Sequence, residues 1–171
     1  MGLYRADART CSPKCRKRVS RKPALPAEMT SRDRWVRRSV LKRPITVAGK
    51  PASSTDSGTW SSFESARSSH AGSGLGYVLG DGIGCIDLDH CIEGGVLALW
   101  AADVVAANPS TYIEVSMSGT GLHIFGLRSE GPGRKIRDGR NIEVYSQGRY
   151  IAVTGNTFGK ALAALSELIL I

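Results

Sequence analysis

From Gly84 to His90 the chain reads Gly-Cys-Ile-Asp-Leu-Asp-His, and this segment restricts the fold more than any other. Successive side chains of a β-strand point to opposite faces. Asp87 and Asp89 therefore share one face while Ile86 and Leu88 share the other, which predicts a strand with a buried apolar side and an acidic side open to a ligand. Two carboxylates held this close repel each other unless a positive charge lies between them. Mg2+ or Mn2+ with a nucleotide phosphate meets that need, because hard divalent cations take oxygen ligands. The pair points to metal-dependent phosphoryl transfer on a rigid support.

Two later segments repeat the alternation. His123 lies between Leu122 and Ile124 in Ser118-Gly119-Thr120-Gly121-Leu122-His123, and Glu143 lies between Ile142 and Val144 in Asn141-Ile142-Glu143-Val144-Tyr145. One sheet that buries these aliphatics under helices presents Asp87, Asp89, His123 and Glu143 on its opposite face. Three carboxylates and a histidine suit two-metal catalysis, in which ions bridge phosphates and stabilise the attacking and leaving oxygens. His123 fits there better as a donor to a triphosphate than as a base, since the metals already activate the nucleophile. Each piece also has a plainer reading. An isolated Asp-x-Asp is usually solvated or capping. Ser118-Gly119-Thr120-Gly121 can be only a turn whose glycines supply positive φ, or a loop whose amides cradle phosphate. A lone His123 reads as a satisfied structural histidine and a lone Glu143 as an exposed strand residue, while Cys85 and His90 read as packing and rim residues. Together the pieces favour a site.

The remaining segments supply the elements of a mixed fold. Residues 31–40 read as a first strand around Arg34-Trp35-Val36-Arg37, and Lys42-Arg43-Pro44 opens a loop that runs through Gly49-Lys50-Pro51. Ser53-Ser54-Thr55-Asp56 caps a short amphipathic helix carrying Trp60, Phe63 and Ala66. Three glycine-containing turns predict three hairpins: around 80–83, around 118–121 and around Gln147-Gly148. Leu97, Trp100, Ala101, Val104 and Val105 predict a core-facing helix over 95–108, stopped by Asn108-Pro109. Residues 160–171 read as a closing helix whose Leu-Ile-Leu-Ile end needs a covering surface.

A chain of 171 residues accommodates one domain with a real core, plus a tail. Its charge is divided unevenly: residues 1–43 hold 14 Lys+Arg against 3 acids, a net of +11, and residues 44–171 hold 9 against 12, a net of −3. Residues 1–33 are expected to form a basic, largely disordered arm that attracts a polyanion, with a merely solvated tail as the plain alternative. Residues 34–171 are expected to form the catalytic domain. No run approaches the roughly 18 apolar residues of a membrane span, and the basic, polar start is unlike a secretory signal, so a cytoplasmic protein with no membrane partner is expected. In a reducing compartment Cys11, Cys15, Cys85 and Cys91 are thiols or metal ligands.

In order, Cys-Ile-Asp-Leu-Asp-His, Ser-Gly-Thr-Gly-Leu-His, and Ile-Glu-Val-Tyr-Ser with Gly-Arg-Tyr-Ile-Ala-Val-Thr-Gly resemble the primase-polymerase (Prim-Pol) domain of the archaeo-eukaryotic primase superfamily, in the form found in phage and plasmid replication proteins. The likeness runs from about Arg34 to Phe158. It implies an α+β fold: an RRM-like antiparallel sheet with helices on one face and the active site on the open face, joined to a smaller αβ unit from the N-terminal half. It implies Asp87, Asp89 and Glu143 as the catalytic ligands of Mg2+ or Mn2+. The element from Ser118 through Gly119 and Gly121 to His123 would bind the incoming triphosphate. Many relatives have Asp where this chain has Glu143, and the longer arm shifts the ion. The implied reaction is template-directed nucleotidyl transfer from nucleoside triphosphates on single-stranded DNA, covering primer synthesis and primer extension. Lys42, Arg43, Lys50 and Arg149 are candidates for phosphate or template contact, with ordinary surface charge an equal alternative. Tyr145 or Tyr150 can stack a base, although a core aromatic is the safer reading.

Cys11 and Cys15 resemble the second half of a zinc knuckle often found near such replication proteins. Zinc normally takes four ligands, and the upstream pair is missing, so the start is truncated or misassigned, two chains share a Zn2+ ion, or the half-site has decayed, with truncation or decay the favoured readings. Cys85 and Cys91 do not complete it, since a soft site there would interfere with hard-metal chemistry. The chain holds no Gly-x4-Gly-Lys-Ser/Thr loop, so a helicase would be a separate or missing partner. Two other classes stay open: a catalytically silent nucleic-acid-binding accessory, and another metal-dependent nuclease or phosphotransferase. Dependence on nucleoside triphosphate separates them.

Overall fold

The computed structural model of the protein describes residues 25–160 and 162–171. Cys11, Cys15 and the basic run around them lie outside the described residues. The short helix α1 (Ala27–Thr30) comes first, and Met29 within it is fully buried. The packed body therefore reaches back ahead of Arg34. Strands β1 (Trp35–Arg38) and β2 (Pro44–Ile45) follow as an antiparallel hairpin. Asp56 caps a single 3-10 turn (Ser57–Thr59), and Ser62 caps helix α2 (Phe63–Ser68) by accepting from the Ser65 amide. The one helix expected from Asp56 onward is thus split at Trp60 into two capped pieces.

Strands β3 (Gly74–Val78) and β4 (Ile83–Leu88) come next, then the small ribbon β5 (Ile92–Glu93) and β6 (Val96–Leu97). Helix α3 (Leu99–Ala107) ends at Asn108, as the following proline requires. Strands β7 (Tyr112–Val115), β8 (Leu122–Leu127), β9 (Arg134–Ile136), β10 (Ile142–Tyr145) and β11 (Tyr150–Val153) complete the order. The named strands form a five-stranded sheet, β7-β8-β4-β10-β9, and a four-stranded sheet, β11-β3-β1-β2. Every pairing within them is antiparallel, and the fold is α+β.

The five-stranded sheet is buried on both faces: Ile83, Cys85, Tyr112 and Phe125 pack with Trp35, Tyr77 and Ile151 of the four-stranded sheet on one side, and aliphatics pack under α3 on the other. Ile86, Leu88, Leu122, Ile124, Ile142 and Val144 pack against Ala101 and Val104 of α3, which leaves the alternate residues of β4, β8 and β10 on the other side. Trp35, Tyr77 and Ala66 join the four-stranded sheet to α2, with the Trp35 ring 4.8 Å from Phe63 and 5.1 Å from Tyr77. Side chains of this size stabilise a fold by roughly 1.5–3 kcal/mol each when fully buried.

Two expected hairpins are corrected. The turn after β3 closes on a single bridge, Gly80 to Ile83, and then β3 and β4 part into different sheets. Likewise β10 pairs with β4 while β11 crosses to β3, with Tyr150 opposite Val78. The turns form where the glycines predict them, but two-residue turn chemistry does not decide which sheet the next strand joins. Only β7 and β8 form the hairpin foreseen, around 118–121. The closing helix is also corrected: residues 162–171 run extended, with Leu127 donating to the Ser166 carbonyl and accepting from Leu168. At Leu127 strand β7 has already ended, so β8 offers unpaired backbone groups that the tail satisfies.

Candidate active site

Strand register builds the site. Across the five-stranded sheet, Glu114 of β7 is opposite His123 of β8, His123 is opposite Asp87 of β4, Asp87 is opposite Glu143 of β10, and Glu143 is opposite Lys135 of β9. Directly opposed residues share a face. One row of polar side chains therefore crosses the sheet on the face away from α3. Asp89 follows one residue past the end of β4, its amide bonded to the Asn141 carbonyl at 2.9 Å.

This face looks into a cleft of about 480 Å³ between the two sheets. Asp87, Asp89 and His123 line it, joined by Ser116 and Ser118 from the β7–β8 turn, Lys42 and Pro44 from the β1–β2 hairpin, and Arg149 beside β11. Ser54 donates to the Gly148 carbonyl at 3.0 Å and ties the wall next to Arg149. Arg43, Lys50, Gly119 and Gly121 do not line the cleft. The Gly119 amide is committed to the Ser116 carbonyl at 3.0 Å, and Gly119 has φ +77°, so the turn reading of this loop applies. Gly121 serves close approach: a Cβ there would lie 2.6 Å from the Leu88 carbonyl oxygen. It lets the Ser118 loop sit against the end of β4, next to Asp89.

Asp87 is a strained charge. Burial pushes its carboxyl up from the ordinary range, and the neighbouring Asp89 and Glu143 push it further, against the lowering effect of His123. Glu143 lies across the strand pair but is already engaged. Its oxygens meet Lys135 at 3.1 Å, Arg137, the Tyr145 hydroxyl at 2.5 Å and Arg149 at 3.7 Å. Burial alone would raise it, but the hydrogen bonds from Tyr145, Lys135 and Arg137 outweigh that and hold it below its ordinary value. Among the described residues no three His, Cys, Asp or Glu side chains are gathered closely enough to hold a metal ion as they stand. The donor types nevertheless suit a hard cation: two carboxylates one strand period apart, the Asp87 carboxyl raised by burial.

Glu114 was not singled out in the sequence. It is fully buried and accepts from the Tyr112 hydroxyl at 3.0 Å, the Thr154 amide at 3.0 Å and the Gly155 amide at 2.9 Å. His123 Nδ1 lies 3.1 Å from it. Every partner donates to this carboxylate, so Nδ1 carries the proton and Nε2 is turned towards Asp87, 3.8 Å away. Tyr112-Ile113-Glu114-Val115 shows the same acid-between-aliphatics pattern as the strands of Asp87 and Glu143, and that signal was available.

The other candidates divide clearly. Tyr145 bonds Glu143 and carries the Arg149 guanidinium over its ring at 4.6 Å, so it is part of the Glu143 cluster. Tyr150 has its ring against Gly76 and its hydroxyl buried without a hydrogen-bond partner. Cys85 and Cys91 are buried free thiols, burial raising both, and His90 lines a separate shallow hollow beside Cys91.

No protein-family model matches the chain. Over 122 residues it is 37% identical to a DNA primase-polymerase of Nitratiruptor phage NrS-1, covering 64% of this chain and 17% of that protein. This chain is similar to a phage primase-polymerase. It spans less than a fifth of that relative's length. Among the described residues, no helix is long and apolar enough to cross a membrane.

Proposed function

We propose that this chain is a Prim-Pol catalytic domain that transfers nucleotides from nucleoside triphosphates onto a strand templated by single-stranded DNA, in phage or plasmid replication. The observation that carries this reading is Asp87, Asp89 and His123 lining one cleft, with Glu114 and Glu143 next to them in the same cross-strand row, in a chain similar to a DNA primase-polymerase. A cleft of this size suits a nucleotide. Asp87 and Asp89 would hold Mg2+ or Mn2+, with Glu143 as the third ligand once its oxygens are released by Lys135 and Arg137. A divalent ion bound there neutralises triphosphate charge and activates the attacking hydroxyl.

The protein's own groups do the rest. Lys42 and Arg149 on the cleft wall attract the triphosphate. The Ser118 hydroxyl is positioned to donate to phosphate oxygens, and its bonds to Ser116 and Thr120 at 3.0 and 2.9 Å keep the turn in place. Glu114 fixes the His123 ring so that Nε2 addresses the same region. Any zinc function of Cys11 and Cys15 is a separate proposal, as is a helicase partner, and neither enters this chemistry.

The test is nucleotide incorporation on primed and unprimed single-stranded DNA with Mg2+ or Mn2+, using wild type and Asp87→Ala/Asp89→Ala. Triphosphate-dependent extension by wild type and none by the variant supports polymerase activity, and product without a primer adds primase activity. Template cleavage without triphosphate would instead identify a nuclease, and template binding without any product would identify a silent accessory.

A further inference from the structure

We propose that the tip of the β1–β2 hairpin, Val40 and Leu41 flanked by Lys42 and Arg43, is a wedge that grips single-stranded nucleic acid at the mouth of the cleft. The inference rests on the nucleotidyl-transfer reading for what the cleft does, while its own claim concerns binding alone. Val40 and Leu41 are 78% and 73% exposed, two adjacent large aliphatics turned to solvent. Scattered exposed apolar residues are ordinary, but these two stand on a fixed support. Ser39 donates to the Arg43 carbonyl at 2.9 Å, Lys42 donates to the Ser39 carbonyl at 3.0 Å, and the Arg43 amide donates to the Ser39 hydroxyl at 3.1 Å. Lys42 takes φ 60°, a left-handed conformation that a lysine does not favour.

The charge around the tip has one sign. From Arg34 to Lys50 the chain holds six basic residues and no acid. Arg34 is spent on Asp81, and Arg37 on the Ala66 and Ala71 carbonyls. Among the described residues, none of Lys42, Arg43 and Lys50 forms an ion pair with an acid of the protein. Lys42 and Pro44 line the same cleft as Asp87 and Asp89, so the tip sits on its lip.

An apolar point flanked by Lys42 and Arg43, neither of them ion-paired among the described residues, matches a ligand with apolar faces and a continuous anionic backbone. Single-stranded nucleic acid is that ligand, because its unstacked bases can lie on aliphatic or aromatic side chains while its phosphates meet Lys and Arg. A duplex hides its base faces and gains only the charge. A protein segment would use Val40 and Leu41 but gains less from the adjacent Lys42 and Arg43 than a continuous phosphate backbone does.

The experiment measures binding of a labelled oligothymidylate, and of a duplex of equal length, to Val40→Ser/Leu41→Ser and to Lys42→Gln/Arg43→Gln over a range of salt. Both pairs are exposed, and an unchanged melting temperature confirms that each variant folds. The apolar variant is expected to bind the single strand about tenfold more weakly, with the salt slope and duplex affinity at wild-type values. The charge variant should lose about 0.7 in slope for each phosphate contact removed. Wild-type single-strand affinity in Val40→Ser/Leu41→Ser overturns the wedge, and is the result expected if the tip instead docks on protein. A tenfold loss in a protein that incorporates no nucleotide keeps the wedge and rejects the polymerase reading. Normal incorporation with no binding effect does the reverse.

Discussion

At the scale of single residues, the site stores instability where the chemistry is proposed. The Asp87 carboxyl is held above its unfolded value, first by burial and then by Asp89 and Glu143. A raised carboxyl contributes stability that is fully present below the unfolded pKa and is lost as pH rises through the folded one. At neutral pH, where the unfolded carboxyl is ionised, burying Asp87 therefore costs stability, and Asp87→Asn should melt above wild type there, by about 0.5–2 kcal/mol, with the gap closing in acid. Mg2+ should raise the melting temperature of wild type and leave Asp87→Asn unmoved. Melting curves across pH check this, and a lower-melting Asp87→Asn at neutral pH would contradict it. Glu114 makes the opposite case, a fully satisfied buried acid. In Glu114→Gln the amide meets groups that all donate, and kcat for incorporation should fall by about 10–100-fold with little change in nucleotide KM. A shift confined to KM would show that Glu114 does not act through His123.

At the scale of elements, close backbone approaches decide where the loops go. Adding a methyl in Gly121→Ala sets it 2.6 Å from the Leu88 carbonyl, so the β7–β8 turn must move away from Asp89. We expect about 1–3 kcal/mol of lost stability together with weaker nucleotide binding, measured by denaturant melts and a nucleotide titration. The Asn108 side chain both donates to and accepts from the Ile169 backbone, at 2.8 and 2.9 Å. Asn108→Ala leaves those tail groups without partners and should cost about 1–3 kcal/mol, with proteolysis first seen in residues 162–171. Here the sequence was only partly legible. The acid-between-aliphatics strands at Asp87, His123 and Glu143 announce both their periodicity and their functional face, because a period of two fixes which side is buried. Which sheet β3 and β11 join is settled by Trp35, Tyr77 and Ile151 packing together far from their own turns, information no local window contains. The tail departs from the expected helix for a related reason. Its leucines suit a helix, but Leu168 and Leu170 are half-buried while Ile169 and Ile171 are exposed, a strand-like alternation chosen by the open edge at Leu127.

At the scale of the whole molecule, the two sheets act as the jaws of one cleft. The five-stranded sheet carries the acids and His123, and the hairpin of the four-stranded sheet brings Lys42 to the opposite wall. The acids on the floor and Lys42 and Arg149 on the rim give the cleft charge of both signs, which is what the proposed metal-bound triphosphate would require. The proposed nucleotidyl transfer makes the α-phosphate the reacting centre, and parallel reactions with α-labelled and γ-labelled nucleotide on a single-stranded template separate it from γ-phosphoryl transfer. Wild type should place the α-label in the lengthened strand and release the γ-label as pyrophosphate, with Asp87→Ala/Asp89→Ala doing neither. Transfer of the γ-label to any acceptor, or α-label incorporation that survives the double substitution, would contradict it.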